Sequence, residues 1–167
     1  PYAMPLVPIT EIVGTDGIIV FNYETGAPSM MSAVQLHTVD SARGVFALED
    51  VAQAIRPGEY YYPRTSVVCI ENTHNRYGGT LYPIERMREL REFCRERDIR
   101  LHLDGARIWN AHAASGTPLM DYGTTVDSIS ICFSKGLGAP VGSLLLGPKD
   151  FITRAHKYRK IFGGGMR

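Results

Sequence analysis

A carboxylate and an amine each stand at the end of an apolar run in this chain. Asp104 follows Arg100 to Leu103 (RLHL), and Lys135 follows Ser128 to Phe133 (SISICF) with Ser134 between. Both runs have the composition of strands, and the interval between them suits one helix with its loops, a single strand-to-strand step. If the two strands are neighbours, both side chains emerge at one sheet edge. Open α/β sheets bind ligands beyond the carboxyl ends of their strands. A structural ion pair, or two unrelated loop charges, is the competing reading. Glycine bears on that choice, because Gly105 follows Asp104, and Gly136, Gly138 and Gly142 follow Lys135. Glycine lets a backbone approach a ligand closely, which a plain surface ion pair does not need.

Pyridoxal phosphate (PLP) requires such a pair. A lysine amine forms an imine with the cofactor aldehyde and exchanges it for a substrate amine. A carboxylate at the pyridine nitrogen keeps it protonated, so that the ring accepts electrons. Arg107 lies three residues beyond Asp104. On a turn or early helix it shares that side, and can donate to a ring oxygen or a substrate carboxylate.

The elements that must position these residues form an α/β pattern. The first fifteen residues hold Pro1, Pro5 and Pro8 and read as irregular, and Gly17 to Tyr23 (GIIVFNY) reads as a strand. Leu48, Val51, Ala52 and Ile55 mark one helix face, ended by Arg56-Pro57-Gly58. Ser66 to Ile70 (SVVCI) is a buried strand by composition. A longer helix starts at Pro83, with Ile84, Met87, Leu90, Arg91, Phe93 and Cys94 inward. A short helix over Ile108 to Ala114, a strand over Val141 to Leu146 and a last helix from Lys149 toward Phe162 complete the pattern. The fold class predicted is α/β, a mixed and largely parallel sheet flanked by helices.

Composition narrows the partners. Apolar residues make up 44% and charged residues 21%, an ordinary globular balance. The formal net charge of +1 lacks the basic excess of a nucleic-acid surface. One basic cluster, Arg154, Lys157, Arg159 and Lys160, also fits the solvated face of a helix. No run is long and apolar enough to span a bilayer. Cys69, Cys94 and Cys132 have no metal-site spacing and close no disulfide framework. Cys69 and Cys132 read as buried, and a cytoplasmic location is expected. The start at Pro1 and the stop at Gly163-Gly164-Gly165-Met166-Arg167 predict that residues 1–167 are a partial domain of a longer protein.

Four runs in order resemble the low-specificity L-threonine aldolases, PLP enzymes of the aspartate-aminotransferase-like fold type. They are Glu71-Asn72-Thr73-His74-Asn75, His102-Leu103-Asp104-Gly105-Ala106-Arg107, Ser134-Lys135-Gly136-Leu137-Gly138-Ala139-Pro140-Val141-Gly142-Ser143 and the closing glycine run. The resemblance implies retro-aldol cleavage of threonine or allo-threonine to glycine and acetaldehyde. It implies Lys135 as the cofactor lysine, Asp104 at the pyridine nitrogen, and Arg107 at a cofactor oxygen or substrate carboxylate. Lys160 and Arg167 match basic positions near the cofactor, in the same or a neighbouring subunit. Homodimers or homotetramers with shared sites are implied for a full-length protein. β-Elimination or transamination on the same fold, and a non-catalytic truncated domain, are the other readings.

The chain departs from the family pattern at two histidines. The ring-stacking histidine is absent near Ile19, and Tyr61 or Tyr62 stands where a second one precedes Pro63-Arg64-Thr65. Tyr61 and His74 are the remaining candidates for handling the substrate hydroxyl proton. His74 also reads as a loop histidine organising nearby backbone. The family's upstream phosphate-binding segment and small C-terminal domain are expected to lie outside this chain.

Overall fold

The computed structural model describes residues 10–165. Its centre is a six-stranded sheet of order β2-β1-β3-β4-β5-β6. The strands are β1 (Thr10–Thr15), β2 (Val34–Val39), β3 (Arg64–Glu71), β4 (Arg100–Gly105), β5 (Ser128–Cys132) and β6 (Ser143–Leu146). The helices are α1 (Ile19–Asn22), α2 (Ala27–Ser32), α3 (Leu48–Ala54), α4 (Ile84–Glu96), α5 (Ile108–Ser115), α6 (Leu119–Thr125) and α7 (Lys149–Ile161). Strands β1 to β5 pair in parallel, and β6 pairs antiparallel to β5. The sheet is mixed and largely parallel, as its sequence pattern predicts.

Alternation along the central strands sorts the two faces. Leu101, Leu103, Ile129 and Ile131 are buried on the helix-covered face. His102, Asp104, Ser128 and Ser130 alternate with them and are half-buried. Helix α4 seats Met87, Leu90 and Cys94 in the core, as its spacing predicts. Burial pushes the Cys94 thiol up to about 12, leaving it an apolar filler. Helix α3 turns Val51 and Ala54 inward, whereas Ala52 is exposed. Cys69 is buried, but Cys132 is only half-buried.

The amino-terminal third differs from expectation. The segment read as irregular contains β1, and Gly17 to Tyr23 is a turn leading into the short helix α1. The turn begins where the Ile18 N–H donates to the Thr15 carbonyl at 3.1 Å. The Asn22 side chain then donates to the carbonyls of Asp16 and Ile18, at 2.9 and 3.0 Å. These bonds consume groups that a strand would need for its ladder. The β-branched residues of β1 were masked by Glu11, a carboxylate that is fully buried. It is tolerated because Gln35, His37, Arg56 and Thr65 bond it at 3.0, 3.3, 3.2 and 3.3 Å. Strand β2 and helix α6 are further elements beyond the sequence reading. Two helices, not one, therefore separate β4 from β5.

Leu90 is 2% exposed at the α4–sheet contact. Truncation there leaves a cavity that the rigid sheet does not close. Leu90→Ala is expected to lower unfolding stability by about 2–5 kcal/mol, read as a reduced urea midpoint with an unchanged slope.

Candidate functional site

Parallel pairing sets the first feature of the site. Asp104 lies in register with Glu71 on β3 and Ser130 on β5. Its backbone carbonyl accepts from the Asn72 N–H at 3.0 Å. Its side-chain Oδ1 accepts from the Ala106 N–H at 3.0 Å, a local turn that fixes the carboxylate orientation. Oδ2 has no hydrogen-bond partner among the described residues and remains available as an acceptor. Gly105 must be small, since a Cβ there would come within 2.9 Å of Ile129 and 3.0 Å of the Ser130 carbonyl.

Lys135 emerges beyond the carboxyl end of β5, on the edge that Asp104 occupies, and it is exposed. The loop carrying it closes on itself. The Phe133 N–H donates to the Gly142 carbonyl at 2.9 Å, and the Ala139 N–H donates to the Phe133 carbonyl at 3.0 Å. The Lys135 carbonyl accepts from the Gly138 N–H at 3.0 Å. Gly138 and Gly142 have φ of +67° and +125°, which most side chains disfavour.

Arg107 is half-buried at the amino end of α5. With Thr73, Asn75, Gly78, Gly79 and Asn110 it lines a cavity of about 490 Å³. Its guanidinium makes no ion pair among the described residues. An aldehyde-bearing pyridine phosphate asks for an amine, an acceptor at its ring nitrogen and a cation for its oxygens. Lys135, the open oxygen of Asp104 and Arg107 are that donor set at one edge.

Glu71 belongs to this edge as well, a role the sequence reading did not give it. It is 3% exposed. Its two oxygens accept from the Ile19 N–H at 3.2 Å and the Asn75 N–H at 2.9 Å. Burial pushes its carboxyl above the usual range, while the Asn75 N–H opposes that. The Asp104 charge adds to the rise, and the Ile19 N–H and Arg107 oppose it. The available signal was the one that marked Asp104, an acid closing an apolar strand.

Other predicted residues lie apart from this donor set or are enclosed beside it. Tyr61 is 64% exposed and precedes β3. Glu71 ends β3, so about 25 Å of strand separates Tyr61 from the Asp104 edge. His74 is 1% exposed. Its Nε2 shares a hydrogen bond with Thr15 Oγ1 at 2.9 Å, and Nδ1 has no partner. Its ring lies 4.8 Å from that of Tyr77, and a Cβ on Gly44 would come within 2.2 Å of it. His74 thus ties its loop to the end of β1 through the Thr15 hydroxyl and has almost no surface for a substrate. Lys160 is exposed in the last turn of α7, and Arg167 lies outside the described residues.

An amine, a carboxylate and a guanidinium at the carboxyl ends of parallel strands define an α/β domain that takes its ligand at the sheet edge. The model of the beta-eliminating lyase family matches residues 3–167, and the chain belongs to that family. It is 45% identical over 146 residues to the low specificity L-threonine aldolase of Escherichia coli (strain K12), covering 87% of this chain and 43% of that protein. It is 43% identical over 152 residues to the low-specificity L-threonine aldolase of Candida albicans, covering 89% and 40%. A solved threonine aldolase of Leishmania major shares the fold with a TM-score of 0.75 at 24% identity, covering 87% of this chain and 42% of that one. The chain thus spans less than half the length of these relatives. No helix among the described residues is long and apolar enough to cross a membrane.

Burial lowers the pKa of His74 and His102, against the opposing pull of Asp16 and Asp104 on the first and of Asp104 on the second. The unfolded chain therefore binds more protons than the native one below the ordinary histidine value of 6.5. Stability present above that value is lost as pH falls through the depressed folded values. Urea midpoints are expected to drop between about pH 7.5 and 5.5, with a shallower drop in His102→Asn.

Proposed function

We propose that this chain is the lysine-bearing core of a PLP-dependent aldehyde-lyase acting on β-hydroxy-α-amino acids. L-Threonine and L-allo-threonine are the substrates, and glycine and acetaldehyde the products. The placement of Asp104 in the last residues of β4 and of Lys135 just beyond β5, at the carboxyl ends of adjacent parallel strands, carries this reading. The family and its threonine aldolase relatives support the choice of reaction.

Lys135 would hold the cofactor, Asp104 Oδ2 would accept from its ring nitrogen, and Arg107 would bind a ring oxygen or the substrate carboxylate. When bound, the cofactor supplies a ring that takes up the electron pair released as the Cα–Cβ bond breaks. Asp104 keeps the ring nitrogen protonated, which raises that capacity. Arg107 orients the substrate and screens its carboxylate charge. Glu71 keeps the Ile19 and Asn75 segments docked at the edge without touching the reacting atoms. Tyr61, on the opposite edge of its own chain, would serve only the site of a neighbouring copy, in the homodimer or homotetramer we infer for the full-length protein. A cytoplasmic location fits the three free thiols.

The test uses the full-length protein supplied with PLP and either threonine isomer. Glycine and acetaldehyde are expected in equal amounts, with no net release of ammonia. Ammonia and a keto acid would instead indicate elimination, and a new amino acid formed from an added keto acid would indicate transamination. Asp104→Asn is expected to slow cleavage by roughly 10²–10³-fold through loss of the charge at the ring nitrogen. Lys135→Ala should remove both turnover and the long-wavelength absorbance of lysine-bound cofactor.

A further inference from the structure

The β4–β5 ladder stops short of the lysine. Its last pair is Gly105 with Ile131, because β4 leaves the sheet after Gly105 and turns into α5. The next peptide of β5 points its Phe133 N–H toward β6, where it reaches the Gly142 carbonyl. In a trans peptide the Cys132 carbonyl then points the other way, to the side β4 has vacated. Trp109 fills that vacancy. Its indole N–H donates to the Cys132 carbonyl at 3.1 Å. Its ring stacks on Phe133, with centroids 6.5 Å apart and planes 28° apart. On the far side of Lys135, a Cβ at Gly136 would lie 3.2 Å from Trp109 Cβ and 2.6 Å from Asn110 Oδ1.

Trp109 therefore touches the lysine loop before and after Lys135. At its other end it belongs to a helix whose first turn follows directly on the Asp104–Ala106 hydrogen bond. We propose that Trp109 is a positioning residue, a strut that replaces the missing rung and fixes the Lys135 loop relative to the Asp104 turn. Among the described residues it makes no hydrogen bond to Lys135 or to the Asp104 carboxylate. The use of this strut in catalysis rests on the proposed cofactor role of Lys135, whereas its ordering of the loop does not.

Two measurements separate those claims. The first, without cofactor, is amide hydrogen exchange at Gly138 and Ala139, whose N–H groups close the loop. Trp109→Phe removes the donor but keeps an aromatic face, and Trp109→Ala removes both. Exchange should accelerate roughly two- to ten-fold in the first variant and more in the second, with Leu103 amide protection much less affected. Unchanged exchange in both folded variants would overturn the strut. The second titrates PLP itself into the full-length protein, following long-wavelength absorbance and its pH midpoint. Weaker binding and a displaced midpoint are expected in the Trp109 variants. Leu90→Ala, which lowers stability without touching the loop, should keep the wild-type midpoint. Unmoved midpoint and affinity in folded Trp109 variants would refute positioning. If wild type itself gives no band, the cofactor role fails while the exchange result still decides the strut. Trp109 is the sole tryptophan of these 167 residues, so the emission lost in Trp109→Phe, taken as the difference from wild type, should also fall as cofactor loads, and a flat difference during loading would count against the proximity.

Discussion

The parallel pairing of β4 with its neighbours is the constraint on which the site depends. Its register sets Asp104 beside Glu71 on one side and Ser130 on the other. One residue of slip would turn the carboxylate into the helix-covered face, where Leu103 now lies. The apolar side chains buried beneath, Leu101, Leu103, Ile129 and Ile131, make that slip costly. Core packing on one face therefore specifies which polar groups stand on the other.

Two buried carboxylates are handled in different ways. Glu11 lies far from the candidate site and is surrounded by four side-chain partners. Those partners come from β1's two neighbouring strands and from Arg56 after α3, so the charge ties those segments together. Glu71 lies at the site edge and is held by two backbone N–H groups instead. Its partners are segments rather than charges, which lets one carboxylate dock two loops beside Asp104. Each arrangement meets the requirement that a buried charge be hydrogen-bonded.

Strands β3, β4 and β5 were legible because each is an apolar run closed by a chemically marked residue. Helix α4 was legible because its inner face repeats at helical spacing. β1 was hidden by Glu11, whose burial makes sense only with partners distant in sequence. Gly17 to Tyr23 misled because its β-branched residues favour a strand, whereas the Asn22 side chain and the Thr15 carbonyl hold a turn. Lys135, Asp104 and Arg107 could be read from residue types beside strand ends. Glu71 stands in a motif whose residue types do not show its docking role, which appears only in the bonds to Ile19 and Asn75. His74 and Tyr61 could not be placed from sequence, because burial and sheet edge are properties of the assembled fold.

The single antiparallel strand has a consequence for the end of the chain. Had β6 run with the others, the helix after it would have set out from the lysine's own edge and carried the chain away. Instead β6 travels back to the opposite edge, and α7 starts there. Thirteen residues of helix give about 20 Å of travel, and α7 shares a groove with Ser143, Leu144 and Leu145 of β6. The reversal thus keeps the last helix beside the antiparallel strand, and leaves the rim where the loop of Lys135 begins clear of that helix's starting turn.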